Sequence, residues 1–392
     1  MAKAINLVVS VALFAAWAAW VFLPPDAPSW DYFASSPTHP PAKLFHARDG
    51  LSHNFKFKAK YADINTFARV ETNAGAKNKG TAIIVCIHGF PETAKFSWDP
   101  VASKLENIQL DYAKVIFSAI DIIGFNESTA YEDAPIEAFS ASAVSEDVNL
   151  LLEQLVDRFE LAKDSVDVHV AGHDWGASVA WHIWQHNTIK ELANKKLGNL
   201  SHKSTTIVNV PNMLSMQRVL RSTDQLWRSR YMFMFNLPYA LIKHKYLGNE
   251  VAAWRLTYSI ATKKGNLAEA DLKELVALFP TRYNSMINWY RNAVRNLGKG
   301  CATCHSELPK TPVGVIWGLE DVALHPNNLC GSVKAAIEDF KAPASSVKIY
   351  PLEGVNHFVN VDRPDVVAAV IADAVNGKDE LAAKYLNQNF CN

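Results

Sequence analysis

Three short runs, TAIIVCI (Thr81–Ile87), KVIFSAI (Lys114–Ile120) and VDVHVA (Val166–Ala171), are β-branched and almost continuously apolar. Strands that are apolar on both faces have no side to offer water, so these runs belong in a parallel sheet covered by helices. Between the second and third, SEDVNLLLEQLVDRF (Ser145–Phe159) brings Val148, Leu151, Leu152, Leu155 and Phe159 to one helical face. The strand rhythm resumes with TTIVNV (Thr205–Val210), gives way to about a hundred helix-like residues rich in Trp, Tyr, Phe and Met, and returns as PVGVIWG (Pro312–Gly318) and SVKIYPL (Ser346–Leu352). Asp365–Val375 (DVVAAVIADAV) is an amphipathic helix suited to cover one face of the sheet. Ahead of all this, NFKFKAKYA and INTFARVET alternate in character and read as two half-exposed strands of a hairpin. Strands separated by helices are βαβ units, which predicts an α/β fold with a mostly parallel central sheet and a helical insertion between two of its strands.

Composition adds a few limits. Of 392 residues, 49% are apolar and 20% charged, enough to bury a large core. Lys+Arg and Asp+Glu balance at 39 each, which leaves no overall field to recruit nucleic acid. Ile5–Leu23 (INLVVSVALFAAWAAWVFL) carries no charge and as a helix would reach about 28 Å, close to the thickness of bilayer hydrocarbon. It reads as a single-pass membrane anchor, with a cleaved signal sequence as the alternative, since Ala15, Ala16, Ala18 and Ala19 are small enough for a cleavage site. Lys3 precedes the segment and Asp26 and Asp31 follow it, which points the rest of the chain away from the cytoplasm; cleavage would make it secreted or periplasmic. The expected division is a membrane or signal segment at 1–23, a Pro/Ser-rich linker at 24–50, a core at 51–210 and 309–392, and a helical cap at 211–308.

Gly172-His173-Asp174-Trp175-Gly176 has the form G-x-nucleophile-x-G, a sharp strand-to-helix turn that exposes its central side chain above the sheet edge. In isolation the same five residues would serve as a helix N-cap. The chain order favours the nucleophile: Asp321, in WGLED, follows the strand at 312–318, and His357, in GVNHF, follows the strand at 346–352. Taken alone, either is a turn or surface residue; after those strands and in that order they are the acid and base of a triad. Glu320 is the rival acid.

These segments resemble the epoxide hydrolase branch of the α/β-hydrolase superfamily from about Asn54 to the C-terminus. His88-Gly89-Phe90-Pro91-Glu92 is similar to its HGFPE loop, GHDWG to its nucleophile motif, and DIIGFNES (Asp121–Ser128) to its DxRGxGxS segment, with Ile123 in place of the arginine. The resemblance implies an α/β-hydrolase fold with an inserted cap, and backbone N–H groups of Phe90 and Trp175 as an oxyanion hole. It implies a role for no cofactor and no metal.

A carboxylate at the nucleophile position is ionised at neutral pH and can attack saturated carbon without a base, forming an alkyl ester that water activated by His357 and Asp321 then hydrolyses. Two electrophiles fit, an epoxide and a carbon–halogen bond. An epoxide oxygen leaves as a basic alkoxide and needs an acid, for which a phenol is suited. Tyr231 in SRYMFMFNLP and Tyr290 in INWYRN stand at places that resemble the family's cap tyrosines and are expected to protonate that oxygen. Tyr239 and Tyr283 are nearby decoys, and Met232–Phe235 reads as packing. The expectation is a membrane-attached epoxide hydrolase acting on a small apolar epoxide and water; a dehalogenase using the same Asp174 is the alternative, and a binding protein on a hydrolase fold is a third reading.

Cys301-Ala302-Thr303-Cys304-His305 stands apart as C-x-x-C-H, the form of a haem attachment site. The plainer reading is a disulfide or free thiols among Cys301, Cys304, Cys330 and Cys391, with Cys86 buried in its strand.

Overall fold

The computed structural model describes residues 51–391 apart from 74–75, 77–79, 162–164, 221, 237–281, 283 and 297–310. The expected membrane segment and linker, the decoys Tyr239 and Tyr283, and the C-x-x-C-H motif lie outside the described residues. Among the described residues, no helix is long and apolar enough to cross a membrane.

In chain order the elements that position the site are β1 (His53–Lys58), β2 (Ala62–Thr72), β3 (Thr81–Ile87), α1 (Ala94–Leu105), β4 (Lys114–Ile120), β5 (Thr129–Ala130), α2 (Ala141–Arg158), β6 (Val166–His173), α3 (Trp175–His186), α4 (Thr188–Lys195) and β7 (Leu200–Val208). Helices α5 (Met213–Val219), α6 (Thr223–Arg228), α7 (Arg230–Phe235) and α8 (Asn288–Arg295) come next, all between β7 and the following strand. The chain finishes with β8 (Val313–Gly318), α9 (Asn327–Lys334), β9 (Val347–Leu352), α10 (Val359–Asp362) and α11 (Pro364–Asn376).

The strands form one sheet in the order β1-β2-β4-β3-β6-β7-β8-β9, with β5 paired to β2. The expected hairpin is present, β1 pairing antiparallel with β2, and β2 pairs antiparallel with β4. Every pair from β4 through β3, β6, β7 and β8 to β9 is parallel. Strand β7 begins at Leu200, earlier than its apolar run predicts, because polar Ser201 and His202 still pair with β6 before the register shifts past Lys203.

Alternation along β3 distributes its side chains to two cores, as a doubly covered strand requires. Ile83, Val85 and Ile87 join Leu151, Leu152, Trp181 and Trp184 on the face covered by α2 and α3. Ala82, Ile84 and Cys86 join Trp98, Val366, Val367 and Val370 on the face covered by α1 and α11. Helix α2 starts at Ala141, four residues before the apolar run predicts, because the Ser140 side chain accepts the Ala143 N–H at 3.2 Å and caps it. Ile123 is buried in the first core, and its carbonyl accepts the indole N–H of Trp289 at 3.1 Å. Cys330 and Cys391 form a disulfide that ties the C-terminal tail to α9, and Cys86 is a buried free thiol.

Candidate active site

Asp174 stands between the last residue of β6 and the first of α3, with φ 51° and ψ −121°. A non-glycine residue rarely adopts positive φ, and here it turns the carboxylate out of the strand line towards the C-terminal edge of the sheet. The turn works only because its neighbours are small. A Cβ on Gly176 would run into the backbone of Ile87 and His88, and one on Gly89 into the Asp174 side chain and the Trp175 nitrogen. With those atoms absent, the loop after β3 lies against the turn, and the Phe90 N–H donates to Asp174 Oδ1 at 2.6 Å. The Phe90–Pro91 peptide bond is cis. Trp175 begins α3, so its N–H is among the first-turn donors that have no partner within the helix.

Two later strand ends bring the partners. His357 Nε2 lies 3.4 Å from Asp174 Oδ2, and its Nδ1 lies 2.7 Å from Asp321 Oδ2. Asp321 is buried, and its other oxygen accepts the N–H groups of Ala323 and Leu324 at 2.8 and 3.0 Å. Glu320 is not part of this chain of contacts; its backbone N–H bonds to Val355. Burial by itself would lower the basicity of His357, but the Asp321 charge and bonds to both carboxylates hold its pKa well above the ordinary value. Burial would likewise raise the Asp174 carboxyl; the hydrogen bond and charge of His357, the charge of His173 and the Phe90 N–H overcome it and leave it below the usual carboxylate value.

Tyr231 on α7 and Tyr290 on α8 meet with ring centroids 5.6 Å apart at 80°. Tyr290 is enclosed edge-on by Phe90 at 5.3 Å and Trp175 at 5.0 Å, with Phe235 at 4.8 Å. Burial first, then the charges of Asp174 and Asp321, push the Tyr231 phenol far above its ordinary pKa, against a hydrogen bond from Tyr290. The Tyr231 phenol is therefore protonated at neutral pH. Asp174, Trp175 and both tyrosines line one cavity of about 280 Å³, walled largely by apolar side chains such as Met213, Met216 and Leu324, with Ser140, Ser178, Gln217, Asn292 and Asn296 as its other polar members.

Four residues with no role assigned from sequence complete the support. Asn209, at φ 51° just past β7, donates to Asp321 Oδ2 at 2.7 Å and accepts the Gly318 N–H at 2.8 Å. His173 sits behind His357, with Nδ1 2.6 Å from Glu92 Oε2 and Nε2 2.9 Å from the His357 carbonyl. A carboxylate and a carbonyl are both acceptors, so one proton lies in the Glu92–His173 contact and a second on Nε2. Asn360 Nδ2 reaches Glu92 Oε1 at 3.2 Å, closing a fully buried network. Glu92 and His173 fall inside motifs the sequence displays, so their position was available. Their pairing was not, because 81 residues separate them. Asn209 had one available signal, an asparagine at the end of a buried strand, where a left-handed conformation is tolerated.

A profile of the alpha/beta hydrolase family matches residues 84–370. Among characterised sequences, the chain is 24% identical over 303 residues to the AB hydrolase superfamily protein YfhM of Bacillus subtilis, covering 76% of this chain and 92% of that one. It is 26% identical over 291 residues to epoxide hydrolase 3 of Mus musculus, covering 72% of this chain and 67% of the relative. Among solved structures it is similar in fold to an epoxide hydrolase of Bacillus megaterium, with TM-score 0.58 and 19% identity over 82% of this chain and 100% of the other. The epoxide hydrolase VrEH1 of Vigna radiata superposes with TM-score 0.59 and 20% identity over 85% of this chain and 100% of that structure. The resemblance read from HGFPE and GHDWG thus extends to relatives and folds that bear the epoxide hydrolase name. With the family profile running from the first buried parallel strand to the final helix, the chain belongs to the alpha/beta hydrolase family.

Proposed function

We propose that this protein is an epoxide hydrolase that opens an apolar epoxide to a vicinal diol through an alkyl ester on Asp174. One observation carries the reading: a carboxylate held ionised and two phenols, of which Tyr231 is held protonated, line the same largely apolar cavity. Names of relatives at low identity support it in kind.

Asp174 Oδ1 is engaged by Phe90, which leaves Oδ2 to attack an epoxide carbon. As the carbon–oxygen bond breaks, the alkoxide takes a proton from the Tyr231–Tyr290 pair. Esterification cancels the Asp174 charge, one of the two carboxylate charges that keep His357 protonated. His357 then releases its proton, which restores the tyrosine, and becomes a base when one is needed. Water loses a proton to His357 and adds to the ester carbon, while charge growing on Oδ1 meets the N–H groups of Phe90 and Trp175. Collapse expels the diol oxygen, which takes the proton back from His357. The remaining carboxyl proton of Asp174 passes to His357, and the resting charges return. Side chains and water complete the cycle without a cofactor.

On this reading residues 211–308 are a cap that carries the acids over the core at 51–210 and 309–392. The Cys330–Cys391 disulfide favours an oxidising compartment, which agrees with a chain carried out of the cytoplasm by the uncharged segment Ile5–Leu23 and held there as a membrane anchor.

A single turnover of a simple aryl epoxide in ¹⁸O-water with enzyme in excess tests the mechanism. The first diol should be unlabelled, its new oxygen coming from Asp174, and label should appear in the Asp174 carboxyl. Label in the first diol rejects the ester. A second reading, dehalogenation through the same ester, is favoured by one feature: the buried indole N–H of Trp175 has no hydrogen-bond partner among the described residues. Halide release from a matched haloalkane, without diol from the epoxide, would select it.

A further inference from the structure

We infer that helix α6, through Gln225 and Arg228, positions Asp321 for its work on His357; this rests on the reading of Asp321 and His357 given above. Asp321 stands on an irregular loop between β8 and α9, and such a loop holds a fixed shape only if something outside ties its backbone. Gln225 is fully buried, and all of its amide is engaged with that loop or its surroundings. Its Nε2 donates to the Ala323 carbonyl at 3.0 Å and to Ser229 Oγ at 2.8 Å. Its Oε1 accepts the His325 N–H at 2.9 Å and Asn328 Nδ2 at 2.8 Å. Ala323 and His325 flank Leu324, and it is Ala323 and Leu324 whose N–H groups grip Asp321 Oδ1. One turn along α6, Arg228 Nη1 donates to the Asp321 carbonyl at 2.6 Å, while its Nε bonds Asp224, which also meets His325 at 3.3 Å.

The orientation of Asp321 is therefore set from two sides. Asn209 and His357 fix Oδ2 from the sheet edge, and α6 fixes the loop that fixes Oδ1. The arrangement also links the two half-reactions. Tyr231 follows Arg228 by three residues, so the stretch that offers a phenol to the epoxide oxygen also holds the acid used in ester hydrolysis.

The test is single-turnover kinetics of Arg228→Met and, independently, of Gln225→Met, which removes the amide's bonds to Ala323, Ser229, His325 and Asn328 without adding a charge. The charged groups around the base are Asp321, Asp174, and His173 with Glu92 behind it; Arg228, Asp224 and His325 stand beyond Asp321, and the Tyr231 phenol faces both carboxylates. A looser Asp321 supports the imidazolium less, so the acid limb of ester hydrolysis should move to lower pH, by about half a unit, while the plateau falls roughly 10-fold. Ester formation should stay within about 2-fold, and Arg228→Lys should recover part of the loss. A merely structural role would lower both steps together and leave the limb in place; that outcome, or unchanged hydrolysis, overturns the inference. Asp321→Asn separates the two levels. If it leaves hydrolysis unaltered, the catalytic reading of Asp321 falls and the inference with it; if it slows hydrolysis while the α6 variants do not, only the positioning role falls.

Discussion

At the C-terminal edge of the sheet, Asp174, Asp321 and His357 each stand a few residues past a strand end, while Tyr231 and Tyr290 stand on short helices above that edge. The first group is held by hydrogen bonds: the oxygens of Asp321 meet Asn209, His357 and two backbone N–H groups, and His357 is gripped through its ring and its carbonyl. The second is held mainly by ring packing among Phe90, Trp175, Phe235 and Trp289, with one hydrogen bond between the two phenols. A charge buried without partners is costly, so buried carboxylates and the imidazole between them need directed bonds at fixed distances. A neutral phenol needs only to be near and protonated, which apolar enclosure secures.

The largest effects should come from breaking the bonded half. Asp174→Ala should reduce turnover by about 10⁴-fold or more, since no other group can form the ester. His357→Gln should instead let ester formation proceed and trap it, read by intact-protein mass as one added substrate per chain. A turnover loss without trapping would remove the assigned order of steps. Cys330→Ser sharpens the contrast from the stability side: opening a cross-link across 61 residues should cost about 4 kcal/mol of stability by chain-entropy reasoning, seen as a lower Tm, with little change in the rate per folded molecule.

The packed half should be more forgiving. Tyr231→Phe or Tyr290→Phe should each slow ester formation roughly 10- to 100-fold and leave ester hydrolysis nearly unchanged, because one phenol can still donate. If either loss matched that of Asp174→Ala, the proposed sharing of the proton between two phenols would be wrong. The smallest effect is a separation of pH limbs. Asp174 is ionised to below the usual carboxylate range, whereas His357 must lose a proton that its carboxylate neighbours favour. As pH falls, hydrolysis should therefore fail before ester formation, and enzyme quenched at about pH 5 should carry more ester than enzyme at neutral pH.

Much of the bonded half was legible because each member follows a strand. Buried runs at 81–87, 114–120 and 313–318 mark strands to within a residue, and a reader who finds them finds the turns after them. Asn209 escaped because its role depends on positive φ at a strand end, which the apolar pattern extended by two residues conceals. The Glu92–His173 pair escaped because sequence periodicity reports which face a residue occupies and says nothing about which distant side chain it meets.

By itself, the sequence determined the parallel sheet, the order in which Asp174, Asp321 and His357 follow its strands, and the presence of a carboxylate at the strand-to-helix turn. All three are carried by local patterns, namely apolar period, turn glycines and residue type. Only the tertiary structure decided that the two phenols share one largely apolar cavity with Asp174 and that Cys330 pairs with Cys391. Each of those depends on contacts between segments far apart in the chain, whose distances are fixed only when the sheet, its covering helices and the helices above its edge have packed together.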